Sequence, residues 1–492
     1  MSEASGTQVD DAAGAGDAVH LSRGSRRWPL GLTDMDMLEV ALAVAAFIVL
    51  CVVILRTAPQ MPEPDDYAYQ GSIVAMTDGH FLSLSTAQMD QLARQVHGPG
   101  GPFGPGGSVP QWVRLASGRW ISEKDPGFPF LAFAFQWLGI IRADQLFYGA
   151  IACLGLFAGA RRWLGRFGGA AAAGLYCSSG AAMLWGWRDY MPTFTDASLI
   201  AAGTGALLWS VLAAEAGRRL RLVVGLLGFV ALELATFTRY TDVVVLGCAV
   251  IAVLALRFVR PAQLPREAIW WWLGSVAAAG AGIAVFDDLV YGGPLKSGYQ
   301  PGEIQFSLAA IVPNLRYMPA HLMQAMPVLV LALAALGWIV VRRARSRRSA
   351  EAGRDLAVGA ALFACWLAMW GLYSAYTWTT APGASTLQVA RFYVPALGAI
   401  ALLGAFLVTK LPWRIPELTA AGTAAVVVVM FAIGIGDFHA MLSGGPIGRF
   451  VHVCPGVVRE GVGKPPPKGT IRCPVPVRGP VIKQGSVSSG QR

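Results

Sequence analysis

Apolar runs long enough to cross about 30 Å of hydrocarbon recur along the chain near residues 36–55, 145–160, 168–186, 195–214, 220–237, 241–257, 269–286, 322–341, 355–373, 393–409 and 418–436. The pattern predicts an all-α polytopic membrane protein with about 11 transmembrane helices. Basic residues orient these spans. If Arg23, Arg26 and Arg27 are cytoplasmic, alternation also places inside Arg161, Arg162 and Arg166, the Arg218–Arg221 group, the stretch from Arg257 to Arg266, the Arg342–Arg348 run, and Lys410 with Arg414. Every cluster between spans then obeys the positive-inside rule.

The same alternation decides an ambiguous segment, Gly127–Ile141, which is apolar and aromatic-rich and ends before Arg142 and Asp144. Counted as a crossing, it would put Arg161, Arg162 and Arg166 outside. It therefore reads as a helix lying along the outer interface, where Trp and Phe are comfortable and spanning length is not needed.

The expected organisation follows. Residues 1–35 form a polar, disordered cytoplasmic tail with no evident cleavable signal peptide. Residues 36–436 form the membrane domain, with a first extracytoplasmic loop at 57–144, a second large outer loop at 287–320 and a shorter one at 374–392. Residues 437–492 form a proline-rich extracytoplasmic tail. In the first loop the Gly/Pro run His97–Pro110 reads as an insertion too entropic to pack.

Composition agrees with a membrane protein: 55% of residues are apolar and only 14% charged. The net charge of +10 resides largely in short clusters between spans, so it reports topology and excludes a nucleic-acid groove. Cys51, Cys153, Cys177, Cys248 and Cys365 lie within apolar runs and read as small buried hydrophobes. Cys454 and Cys473 stand in polar sequence, where a disulfide would contribute about 3 kcal/mol outside the cell; two free thiols are the alternative.

The candidate chemistry gathers at the outer ends of the spans. Asp65 and Asp66 follow the first span in a proline-studded loop, placed for acid/base or metal chemistry on a lipid-linked substrate or, equally, for capping a helix. Glu123-Lys124-Asp125, Arg188-Asp189, Asp196, Arg239, Asp242, Asp287-Asp288, Lys296 and Arg391 accumulate on the same side. Carboxylates accept protons or bind metal, and Lys and Arg bind phosphate; expelling a lipid phosphate uses both. No HExxH, P-loop, GxSxG or tandem CxxC pattern occurs, and His80, His97, His321, His439 and His452 are scattered.

Six segments, in order, resemble the superfamily C (GT-C) glycosyltransferases, especially bacterial relatives of the protein O-mannosyltransferases and lipid A aminoarabinose transferases. Asp65-Asp66-Tyr67-Ala-Tyr69 is similar to that family's acidic motif in the first outer loop, and Glu123-Lys124-Asp-Pro126-Gly-Phe-Pro129 to its Glu-Lys-Pro segment before an interfacial helix. Arg161-Arg-Trp-Leu-Gly-Arg166 resembles the family's basic turn after the second span, Arg188-Asp-Tyr-Met-Pro192 with Asp196 the segment at the outer end of its third, and Phe286 to Tyr299, with Tyr291-Gly-Gly-Pro294-Leu-Lys-Ser-Gly298-Tyr299, its Phe-Gly-x-Pro-x-x-x-Gly-Tyr loop. Arg391-Phe-Tyr-Val-Pro395 resembles the lead-in to a late span. The insert after His97 and the spacing at Asp125 depart from the family pattern.

The resemblance implies Asp65 as general base, with Asp66 assisting it or binding metal, and leaves open which of the two is the base. It implies Glu123 as a substrate- or metal-binding carboxylate, Lys124 and Arg391 as donor-phosphate ligands, and Tyr299 as a substrate contact. A divalent cation at Asp66 and Glu123 is the one cofactor it admits. The implied activity is inverting transfer of a sugar from a polyprenyl-phosphate donor to a glycan, lipid or protein acceptor, at the outer face of a bacterial plasma membrane. The rivals are a transporter or flippase of a lipid-linked or small sugar, and a non-catalytic scaffold for envelope assembly.

Overall fold

The computed structural model describes residues 33–57, 64–97, 109–259, 264, 266–299, 306–380, 390–411 and 415–442. The cysteine pair of the tail, most of the Gly/Pro insert and the leading tail lie outside them. Contacts divide the chain into Met1–Leu38 and Glu39–Arg492, and everything concerning the site belongs to the second unit.

Helix α1 (Asp34–Arg56) begins at a capping box, with Asp36 accepting from the Thr33 hydroxyl at 2.7 Å and from the Thr33 amide at 2.9 Å. The segment after α1 then folds into α2 (Pro64–Thr77), α3 (Thr86–His97), an antiparallel hairpin of β1 (Trp112–Arg114) and β2 (Trp120–Ser122), and α4 (Gly127–Trp137). A small core of Ala75, Leu84, Met89, Leu92, Val109 and Trp112 holds this loop together. At 11 residues α4 is about 16 Å long, too short to cross, and Trp137 at its end is 72% exposed.

After α4 come α5 (Arg142–Leu164), α6 (Gly168–Cys177), α7 (Gly180–Gly186), α8 (Thr193–Leu212), α9 (Arg218–Thr238), α10 (Val243–Val259) and α11 (Arg266–Tyr291). The last third forms α12 (Ile311–Ala325), α13 (Leu329–Arg345), α14 (Ala350–Ser374), α15 (Leu397–Lys410) and α16 (Pro416–Leu442). Two ties show that the loop between α1 and α5 leaves and returns on one side. Arg142 donates to the carbonyls of Ile54 at 2.8 Å and Thr57 at 3.0 Å, at the carboxyl end of α1. At the other end Arg161 pairs with the buried Glu39 at 2.6 Å. The helices are antiparallel neighbours, and Gly127–Ile141 is not a crossing.

Among the described residues, eight helices are long and apolar enough to span a membrane, and a ninth is obtained if the pair Met318–Ala325 and Leu329–Arg345, bent by 101°, is taken as one. The expectation of 11 differs at two places. The apolar run 168–186 is broken at Ser178-Ser179 into α6 and α7, with the Ser179 hydroxyl donating to Ala325 O at 3.2 Å. The run 393–409 becomes Val394–Lys410, shorter than a full span. Hydropathy counts apolar residues and does not see where a serine hydroxyl and a neighbouring helix replace a backbone ladder bond.

Small residues bring α5 and α8 together. A Cβ at Gly155 would lie 2.6 Å from Ala202 Cα, and one at Gly159 2.5 Å from Gly205 O, the close approach that small-xxx-small spacing permits in lipid. Orientation has a direct check. In a protein otherwise free of cysteine, Leu82→Cys on the first outer loop, 47% exposed, is expected to react with a membrane-impermeant maleimide in intact cells, and Arg347→Cys only after permeabilisation; the reverse result inverts the topology.

Candidate active site

The first turn of α2 contains both Asp65 and Asp66, so the helix amino terminus favours their negative charge. Consecutive helical residues project about 100° apart, and the two carboxylates accordingly meet different partners. Asp66 is completely buried against Arg188, which donates from Nε to Oδ1 at 3.2 Å and from its second nitrogen to Oδ2. The Arg188 guanidinium also lies over the Trp185 ring, 4.9 Å from its centroid.

Asp65 is 17% exposed and meets two cations. Lys124 Nζ lies 3.1 Å from Oδ1, and Arg391 donates to Oδ2 at 3.0 Å. Lys124 in turn donates to the Tyr299 hydroxyl at 3.3 Å and sits 5.0 Å from that ring's centroid. Four of the residues singled out in the sequence, Asp65, Lys124, Tyr299 and Arg391, thus touch one another although Asp65 and Arg391 are 326 positions apart. Burial opposes ionisation of Asp65, but the Lys124 ammonium and Arg391 guanidinium outweigh it and hold the carboxyl well below its ordinary range. Burial lowers the Lys124 ammonium, yet Asp65 more than compensates and keeps it charged.

Backbone packing fixes these groups. Gly298 lies against the backbone of Glu123, where a Cβ would come within 2.6 Å of Ser122 O, so the Tyr299 loop can close on Lys124 only through a glycine. Gly127, at the start of α4, packs on the last turn of α9, where a Cβ would meet Phe237 O at 2.5 Å. Glu123 is buried, and its amide donates to Gln111 O at 2.9 Å.

Gln111 was not legible in the sequence, and Asp125 and Arg188 were named there only as charges. Gln111 adopts a left-handed conformation with φ 57°, a strained state for a residue with a Cβ, and its side chain hydrogen-bonds Asp65. No turn signature marks it. Asp125 accepts from the Tyr240 amide at 3.3 Å; burial pushes its carboxyl up to about 7 against the opposing pull of that hydrogen bond and of Lys124 and Arg239. Arg188 was visible as an outer charge, but its pairing with Asp66 depends on how α7 packs against α2.

Among the described residues no group of three His, Cys, Asp or Glu side chains is placed to hold a metal ion, and the Asp66 carboxylate is engaged by Arg188. What the arrangement can do is bind an anion: two cations converge on a small carboxylate, with a phenol beside them.

No protein-family model and no curated protein sequence matches this chain. Solved structures similar to it include ArnT from Cupriavidus metallidurans bound to undecaprenyl phosphate, with a TM-score of 0.47 and 12% identity over 85% of this chain and 74% of that one. The apo state of the same protein gives a TM-score of 0.45 at 14% identity over the same shares. The Archaeoglobus fulgidus oligosaccharyltransferase, in complex with zinc and sulfate, gives 0.46 at 12% identity over 81% of this chain and 53% of that one.

Proposed function

We propose that this chain transfers a sugar from a polyprenyl-phosphate donor to a cell-envelope acceptor at the outer face of the membrane, with inversion at the anomeric carbon. The observation that carries the reading is the grip of Lys124 and Arg391 on Asp65, combined with the family-like order of the segments that supply these residues. Asp65 occupies the place between Lys124 and Arg391 that an anion would take. When the donor phosphate arrives, the two cations turn to its oxygens. Asp65 then loses the partners that depress its proton affinity and becomes a competent base.

The balanced step is a single displacement. Asp65 accepts the proton of an acceptor hydroxyl, whose oxygen forms a bond to the anomeric carbon as the bond from that carbon to the phosphate oxygen breaks. Polyprenyl phosphate departs with the electron pair, and Lys124 and Arg391 stabilise its charge more strongly in the transition state than before it. Phosphate is a good leaving group, so no second carboxylic acid is required. Asp66 anchors α2 through Arg188 and takes no part in the proton transfer.

Transport is the rival reading of the broken segment at Ser178-Ser179. Both hydroxyls there are engaged by backbone carbonyls, those of Leu175 and Ala325, and the charged pairs of the site stand at the outer helix ends.

The test uses purified full-length protein in nanodiscs and undecaprenyl phosphate as the probe. Lys124→Ala and Arg391→Ala are each expected to weaken binding by about 10- to 100-fold, the worth of a charge-assisted hydrogen bond. Unchanged affinity in both variants overturns the reading. Gly298→Ala, which forces the Tyr299 loop away from Glu123, is expected to slow sugar transfer by roughly 10-fold or more through misplacement of the clamp, measured with a radiolabelled polyprenyl-phosphate sugar.

A further inference from the structure

The two cations of the site sit on segments that share no covalent neighbourhood: Lys124 precedes α4, and Arg391 precedes α15. Something must hold them at a fixed separation. The turn between α9 and α10 touches both. Arg239 NH1 donates to the Arg391 carbonyl at 3.3 Å, and the amide of the next residue, Tyr240, donates to Asp125, adjacent to Lys124, also at 3.3 Å. The Arg239 and Arg391 guanidinium groups lie over the same Phe392 ring, at 5.9 and 4.7 Å from its centroid.

The turn is itself tied down from three sides. Arg239 meets Asp196 Oδ2 on α8 at 3.7 Å and donates from its other terminal nitrogen to Thr193 Oγ1 at 3.3 Å. The Tyr240 hydroxyl donates to Asp287 on α11 at 2.8 Å. The Thr241 hydroxyl shares a hydrogen bond of 2.6 Å with Tyr373 on α14. Asp196 and Asp242 are buried beside Arg239. A buried arginine with this many fixed partners is costly to place merely as packing, because each charge in it had to be desolvated.

Resting on the function proposed above, we infer that Arg239 and Tyr240 are positioning residues whose turn sets the spacing between Lys124 and Arg391, and so matches the clamp to one phosphate group. Arg239 acts through the Arg391 backbone. The planar guanidinium can bond the carbonyl and Thr193 at once, which a lysine ammonium at the same place cannot do in that fixed geometry.

A double-mutant cycle reads this directly, again with full-length protein in nanodiscs and undecaprenyl phosphate as the probe. Arg239→Lys is expected to weaken binding about 10-fold in the native background and to add nothing once Arg391→Ala is present. An equal loss in both backgrounds means Arg239 acts on the phosphate or on the fold as a whole, and overturns the inference. So does native affinity in Arg239→Lys. If that variant does not fold, Thr193→Val, which leaves every charge in place, carries the same cycle with a smaller expected loss. Failure of undecaprenyl phosphate to bind the unaltered protein overturns the function itself, whereas normal binding with no coupling to Arg391 overturns only the positioning role.

Discussion

Asp65→Asn is expected to lower sugar transfer by about 10²- to 10⁴-fold, the contribution of a general base, while polyprenyl phosphate binds at least as tightly as before. The two halves of this result come from one geometry. An asparagine cannot accept the acceptor's proton, so the chemical step loses its base. The same change removes the negative charge that Lys124 and Arg391 grip at 3.1 and 3.0 Å, and the incoming phosphate no longer displaces an internal competitor. Transfer measured with a radiolabelled donor, beside equilibrium binding of undecaprenyl phosphate, separates the effects. Full transfer by Asp65→Asn ends the catalytic proposal for this residue. Lost transfer with equally lost binding makes Asp65 a structural part of the clamp.

The second large effect is on stability. Arg188→Ala leaves Asp66 as an uncompensated carboxylate in a site where both side chains are essentially inaccessible, 0% and 1% exposed. Removing one partner of such a pair costs about 3–5 kcal/mol, expected as a pronounced drop in the thermal midpoint in detergent or as loss of monodisperse protein. The paired replacement Asp66→Leu with Arg188→Met removes both charges and is expected to recover most of that loss, with measurable transfer. Recovery of the fold without any transfer would assign Asp66 to the chemistry and contradict its reading as an anchor. The two aspartates, adjacent in sequence, are thus expected to fail in opposite ways, one by activity and the other by folding.

Sequence alone carried the membrane character and the orientation of the ambiguous segment a long way. Gly127–Ile141 was excluded as a crossing because the arginines after α5 would otherwise be outside, and the Arg142 bonds to the end of α1 have that consequence built in. Hydropathy did less well where a span is interrupted. The 101° bend before Leu329 falls at Pro327, which cannot continue a helical ladder, whereas the Ser178-Ser179 break lies where the Ser179 hydroxyl bonds Ala325 O and Gly434 packs against Ser178 O, contacts that hydropathy does not register.

For the site, the sequence determined which residue types stand at the ends of the helices, because a charged side chain in the hydrocarbon is expensive and only the ends tolerate a mixture of Asp, Lys and Arg. It could not divide the labour between Asp65 and Asp66, since both suit the first turn of a helix. Tertiary structure gives the two different partners. The 100° between neighbouring helical positions turns Asp66 into the protein, where only a full arginine partner makes burial tolerable, and turns Asp65 toward Lys124 and Arg391. Those partners come from segments separated by hundreds of residues, and contacts of that range are set by how helices pack, through close approaches such as Gly127 on α9 and Gly298 on Glu123, rather than by any local pattern along the chain.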